Sequence, residues 1–165
     1  MDFNLEEMST EEIIQLHSYS KKVLKKRGII RTNNSIIGDL GEYLAIKYYN
    51  ETPNLPNLRE AEVGTKNIDA ISRNGERYSI KSMTINKTGS FRGLEPIDSE
   101  KQDEQIFEYV ILCRFDDNYE LLEILELDWN TFIENKKWHT RNQAWYLNVT
   151  KKLKNECKII YSKTE

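Results

Sequence analysis

Asp69, Lys81 and Glu42 are the side chains of this 165-residue chain whose types and spacing can do chemistry. Asp69 lies in a short apolar run, Ile68–Ser72. Lys81 lies in Glu76–Ile85, which alternates polar and apolar as a half-buried strand does. Arg73-Asn74-Gly75 between them is a turn signal, so the two runs are predicted to form a β-hairpin. Glu42 falls on the helix expected before them. Carboxylates can hold a hard cation together with water, and an ammonium stabilises developing negative charge. The plainer alternatives are a cross-strand Asp69–Lys81 ion pair, worth under about 1 kcal/mol, and a solvated Glu42.

The hairpin carries its own test. A three-residue loop ending in a left-handed glycine pairs residue 72 with 76 and sets Asp69 opposite Ser79. Asp69, Ser79 and Lys81 then share one face. A two-residue loop sets Asp69 opposite Ile80 and turns the lysine away. A shared site requires the first register, or a bulge that restores it.

Other elements position this hairpin. Ser9-Thr10-Glu11-Glu12 is a capping box opening a first helix, with Ile13, Leu16, Ser20, Val23 and Leu24 on one face. Lys25, Lys26 and Arg27 suit its last turn, and Gly28 is a natural stop. Ile29 and Ile30 are expected to return to the core. A second helix runs from about Ser35 to Asn50, with Thr32-Asn33-Asn34-Ser35 as capping candidates and Ile37, Leu40, Leu44 and Tyr48 as its apolar face. Gly38 and Gly41 near its start suggest close approach of another backbone or a ligand. Residues 86–105 have no period. Phe107–Phe115 is the most apolar run and reads as a central strand. Tyr119–Leu127 is rich in helix formers, but the tight turn at Asp116-Asp117-Asn118 makes it a strand. Asp128 caps a short helix, Trp129–Lys137, and Ala144–Val149 and Lys158–Tyr161 read as last strands. One domain over 1–165 is expected: helix 1–30, core 35–150 and a C-terminal strand in 151–165.

Composition excludes several classes. At 38% hydrophobic and 31% charged residues the chain is ordinary globular material, and no run is apolar enough for a membrane span. The acidic start, Met1–Glu7, does not resemble a secretory signal. Cys113, Cys157, His17 and His139 are scattered, so neither a disulfide framework nor a zinc site is expected. A reducing cytoplasm fits them. The net charge of −3 argues against a uniformly basic nucleic-acid binder. It is nevertheless a sum of opposed blocks: 21–31 and 66–92 are basic, 95–128 is acidic and 136–163 is basic. Such blocks either create a local basic field or neutralise one another in space.

The order helix Glu, strand Asp, then a lysine on the next strand resembles the PD-(D/E)XK nuclease superfamily, the restriction-endonuclease-like fold. Asp69 matches its motif Asp, Lys81 its Lys and Glu42 its helix Glu, over roughly residues 35–150. The runs RGIIRTNNSIIGDLGEYLAIKY, IDA with YSIK, FEYVILCRFDDNYELLEI and HTRNQAWYL look like a bacterial branch of that superfamily. Members of that branch tend to lack the acid before the lysine. Here Ser79 stands at the acid's position and Ile68 at the proline's. The resemblance implies an α/β (α+β) fold with a central mixed sheet of about five strands flanked by helices, plus an extra N-terminal helix.

It also implies a metal-dependent DNA endonuclease hydrolysing phosphodiester bonds, in restriction, phage defence or repair. Mg²⁺ or Mn²⁺ would be held by Asp69, Glu42 and the Ile80 backbone carbonyl. Lys81 would orient water or stabilise the transition state, and Ser79 could hold a water by its hydroxyl. One missing carboxylate predicts weaker metal binding. The alternative is a catalytically inactive relative that binds nucleic acid or a protein. Lys87, Arg92 and Phe91 on the loop 86–93, Arg31 and Asn34 before the second helix, and Arg141 are the expected nucleic-acid contacts. Trp138 and Trp145 are read as core and His139 as a turn residue. DNA is the expected partner, with a homodimer admitted and neither membrane nor nucleotide cofactor expected.

Overall fold

The computed structural model describes residues 4–30, 36–62, 65 and 67–163. The first helix, α1 (Thr10–Lys26), opens on the expected capping box: the Glu12 N–H donates to Ser9 Oγ, and the Ser9 N–H donates to the Glu12 carboxylate. Lys25 and Lys26 close its last turn and Gly28 follows at φ +72°. Its apolar stripe does not reach the core. No α1 residue is buried, and Ile13 and Ile14 are exposed. Ser20 breaks the stripe and Arg27 extends its line with a charge, which leaves too little apolar area to seat the helix. Burial resumes at Ile30.

The second helix, α2 (Ile36–Glu51), leads into β1 (Leu58–Glu60), β2 (Ala70–Ser72) and β3 (Arg77–Met83), an antiparallel meander. A long connection then brings β4 (Tyr109–Phe115) beside β3 in parallel. β5 (Leu121–Asp128) returns antiparallel, as the turn at Asp116 predicts over helix propensity: Asp116 Oδ1 accepts the N–H groups of Asn118 and Glu120. Asp128 caps α3 (Trp129–Asn135), accepting the Thr131 N–H at 2.8 Å. A separate hairpin, β6 (Lys137–His139) and β7 (Ala144–Tyr146), precedes α4 (Lys151–Glu156) and β8 (Lys158–Ser162). β8 adds to β5, so the mixed sheet has six strands in the order β1-β2-β3-β4-β5-β8 rather than about five. β1, β6 and α4 are too short for periodicity to announce them. Thr150, whose hydroxyl accepts the Leu153 N–H, is the one local cue to α4.

Both sheet faces are covered. On one, Ala45 and Tyr49 of α2 pack against Tyr78, Ile80, Ile111 and Cys113. Gly41 permits this approach, because a Cβ there would meet Ser82 Oγ at 1.8 Å and Ser82 Cβ at 2.9 Å. The glycine thus answers to a neighbouring strand. Tyr49 pins the helix further by donating its hydroxyl to Glu126. On the other face Met83, Val110, Leu112 and Leu125 meet Phe91, Phe107 and Phe132. Among the described residues no helix is long and apolar enough to cross a membrane.

Five acids of the 95–128 block pair with bases of the fold. Glu108 pairs with Arg77, Asp103 with Lys136, Glu123 with Arg114 and Lys154, Glu126 with Lys158, and Glu120 with Lys163. Hydrogen bonding from Arg77 holds the Glu108 carboxyl below the usual carboxylate range. A depressed carboxylate stabilises the fold above its unfolded pKa, and that stability is lost as pH falls through the lower folded value. Both partners are partly exposed, so screening limits the effect to about 1 kcal/mol or less. Arg77→Met is therefore expected to lower the urea midpoint at neutral pH and to converge with wild type in acid. Urea titrations across the acid range check this.

Candidate nucleic-acid site

The hairpin adopts the register that a shared site needs. Gly75 takes φ +89°, the Ser72 N–H bonds the Glu76 carbonyl, and Ala70 pairs with Tyr78, so extending the register by one sets Asp69 opposite Ser79. Asp69 stands just before β2, where the β2–β3 ladder gives way to its side chain. Its Oδ2 accepts the Ile80 N–H at 2.6 Å and the Ser79 hydroxyl at 3.4 Å. The bond to Ile80 fixes the carboxylate at the edge of β3. Oδ1 takes no hydrogen bond from a described residue. In an extended strand the N–H and C=O of one residue point to the same edge, so the Ile80 carbonyl faces Asp69 as well.

Pleating puts Ser79 and Lys81 on one face of β3 and Ile80 on the other. Ser79 is 1% exposed. Lys81 is half-buried, and its Nζ lies 5.2 Å from the centroid of the Phe91 ring. Asp69 and Lys81 do not form the cross-strand ion pair of the plainer reading. Among the described residues no carboxylate lies within ion-pair distance of Lys81, Lys87, Arg92 or Arg141. The acids of 95–128 neutralise other bases and leave these.

Glu42 lies on α2. Its helix covers the face of Tyr78, Ile80 and Ser82, whereas Ser79 and Lys81 project from the opposite face. Glu42 has an interaction of its own. Among the described residues no group of three or more His, Cys, Asp or Glu side chains could hold a metal. The donors on hand are Asp69 Oδ1, the Ile80 carbonyl and the Ser79 hydroxyl, all hard oxygens. They suit a cation that keeps most of its waters, such as Mg²⁺, and not zinc.

The softer contacts need correction. Phe91 is not available to stack on a base: it is 3% exposed and packed against Phe107 and Phe132. The loop 86–93 is strapped to β7 and the residues after it. Lys87 bridges to Asn148 and Phe91 to Trp145, and the Thr88 hydroxyl accepts the Leu147 N–H. Strand-like pairing has aimed the Phe inward, leaving Arg92 exposed and Lys87 with its Nζ 4.3 Å from the Tyr146 ring centroid. Arg141 is exposed in the β6–β7 turn. Arg31 and Asn34 lie outside the described residues. Trp145 is partly buried against the second core cluster, Trp138 is half-buried outside both clusters, and the two line a cleft of about 320 Å³ with Phe91 and Arg92. The paired tryptophans of WHTRNQAW, seven residues apart across a turn, were the available sign of a wall there.

No protein-family model matches this chain, and no curated protein matches it.

Proposed function

We propose that the protein is a nuclease-like hydrolase of DNA phosphodiester bonds, working through Asp69 and Lys81. One observation carries the reading: Asp69 is gripped by the Ile80 N–H at 2.6 Å, and Lys81, the next residue of that strand, has no anionic partner among the described residues. The element order behind the family resemblance supports it, since α2 precedes the β2–β3 hairpin and β4 follows.

A divalent cation, when bound, would neutralise phosphate charge and acidify water. Asp69 Oδ1, the Ile80 carbonyl and the Ser79 hydroxyl are the groups that would hold it. The Ile80 N–H fixes the carboxylate so that no reorganisation is needed there. Lys81 presents its ammonium from the same strand, supported by the Phe91 ring, and stabilises negative charge on the phosphate as the bond to the leaving oxygen breaks. Lys87 and Arg92 extend the positive field along the neighbouring strap and hold further phosphates. Ser79 contributes no charge, so ion affinity is modest.

Lys81→Met keeps the aliphatic contact with Phe91 and removes the charge. Cleavage of plasmid and single-stranded DNA in Mg²⁺ or Mn²⁺ should fall by about 10²–10³-fold, with the thermal midpoint nearly unchanged. Equal cleavage by both proteins would end the assignment.

A second reading, binding without cleavage, is favoured by Ser79 itself, a buried hydroxyl where the family places an acid. It requires DNA binding that persists in EDTA and weakens steeply with salt.

A further inference from the structure

The cleft lined by Phe91, whose ring also meets the Lys81 ammonium, holds polar and aromatic groups that the fold itself does not use. Trp145 is fully engaged: its Nε1 donates to the Glu95 carbonyl at 2.7 Å, and the Lys136 ammonium, paired with Asp103, lies 3.9 Å from its ring centroid. Trp138 differs. It meets Trp145 edge-on, with centroids 5.1 Å apart and planes at 67°, and its indole N–H donates to no described residue. Asn142 spends its backbone N–H on His139, but its side-chain amide makes no hydrogen bond to a described residue. The exposed Arg92 guanidinium makes none either, and no carboxylate of a described residue is in ion-pair range of it. An aromatic surface, an amide and a cation therefore converge on one opening. Phe91 is its wall, and the same ring carries Lys81.

A flat π-system with donors and acceptors on its edge and a phosphate on its flank is what these groups recognise. Indole stacks on any base, an amide pairs with a base edge, and a guanidinium takes the phosphate. We infer that this cleft receives one unstacked nucleobase of single-stranded or locally opened DNA whose adjoining phosphate lies at Lys81. The inference rests on the nucleic-acid reading above and narrows its substrate class. A base inside an intact duplex is already stacked on both faces and would have to be extruded first.

The test is anisotropy of a labelled single strand against an abasic strand of equal length, at low salt without divalent ion. Wild type should bind the base-bearing strand about tenfold more tightly. Trp138→Ala should bring that ratio near one, and Trp138→Tyr, which keeps a stacking ring, should restore most of it. Circular dichroism melting confirms that each variant folds. Strands bound equally well with and without bases, or a ratio unmoved in a folded Trp138→Ala, would overturn the cleft as a base site while leaving a phosphate-binding nuclease standing. Failure of any strand to bind would overturn both.

Discussion

Gly41→Ala is expected to lower stability by about 1 kcal/mol, although alanine is the better helix former. Removing a glycine from a helix interior gains up to about 1 kcal/mol, and overpacking a close contact costs about 1–3. Here the second term wins. Rotating Ser82 can move its Oγ away from the new methyl, but Ser82 Cβ would stay at 2.9 Å and Cys113 Cβ at 3.4 Å. The helix would have to lift from β3 and β4, loosening Tyr49 from Glu126. The sign should reverse when the obstruction is removed. In a Ser82→Gly background the same substitution should be neutral or stabilising, a coupling of about 1–3 kcal/mol in a double-mutant cycle read by urea unfolding. Additive single-mutant losses would mean that α2 does not rest on Ser82.

Two substitutions at Asp69 separate its structural and chemical duties. Asp69→Ala removes the acceptor of the Ile80 N–H and the Ser79 hydroxyl, and a buried donor left unpaired costs about 1–3 kcal/mol. Asp69→Asn puts an amide oxygen in the same place and should be milder. If the carboxylate only tied the end of the β2–β3 ladder, the asparagine variant would keep whatever activity the protein has. As a cation-holding group it cannot be replaced by a neutral amide, so cleavage should drop by about 10²–10³-fold in both variants. Melting curves and DNA cleavage on the same samples give the two readouts.

The sequence made the hairpin legible because its geometry is local. A glycine at 75 that must take positive φ sets 72 against 76, and the alternation of β3 then puts Ser79 and Lys81 on one side. The strand at Leu121–Asp128 was legible for a similar reason, since the Asp116 turn overrides the helix propensity of Leu and Glu. The sheet face that α2 covers was not. Helical spacing shows which residues share a stripe, but not which face of the sheet the stripe will cover. Phe91 and Trp138 exchanged their expected places for the same kind of reason. Pairing of the strap with β7 turned the phenylalanine inward and left Trp138 at a cleft, and that pairing spans more than fifty residues of chain. The acidic block also resolved only in three dimensions, where its carboxylates reach Arg77, Lys136, Lys154, Lys158 and Lys163.

Cleavage of supercoiled plasmid and single-stranded DNA by the wild-type protein, with Mg²⁺ or Mn²⁺ and with EDTA, tests the Asp69–Lys81 site most directly. Strand scission that needs the divalent ion and is lost in both Asp69→Asn and Lys81→Met is the expected result. A folded wild-type protein that leaves every DNA intact with either ion, or variants that cut as well as it does, would contradict a hydrolytic site at this hairpin.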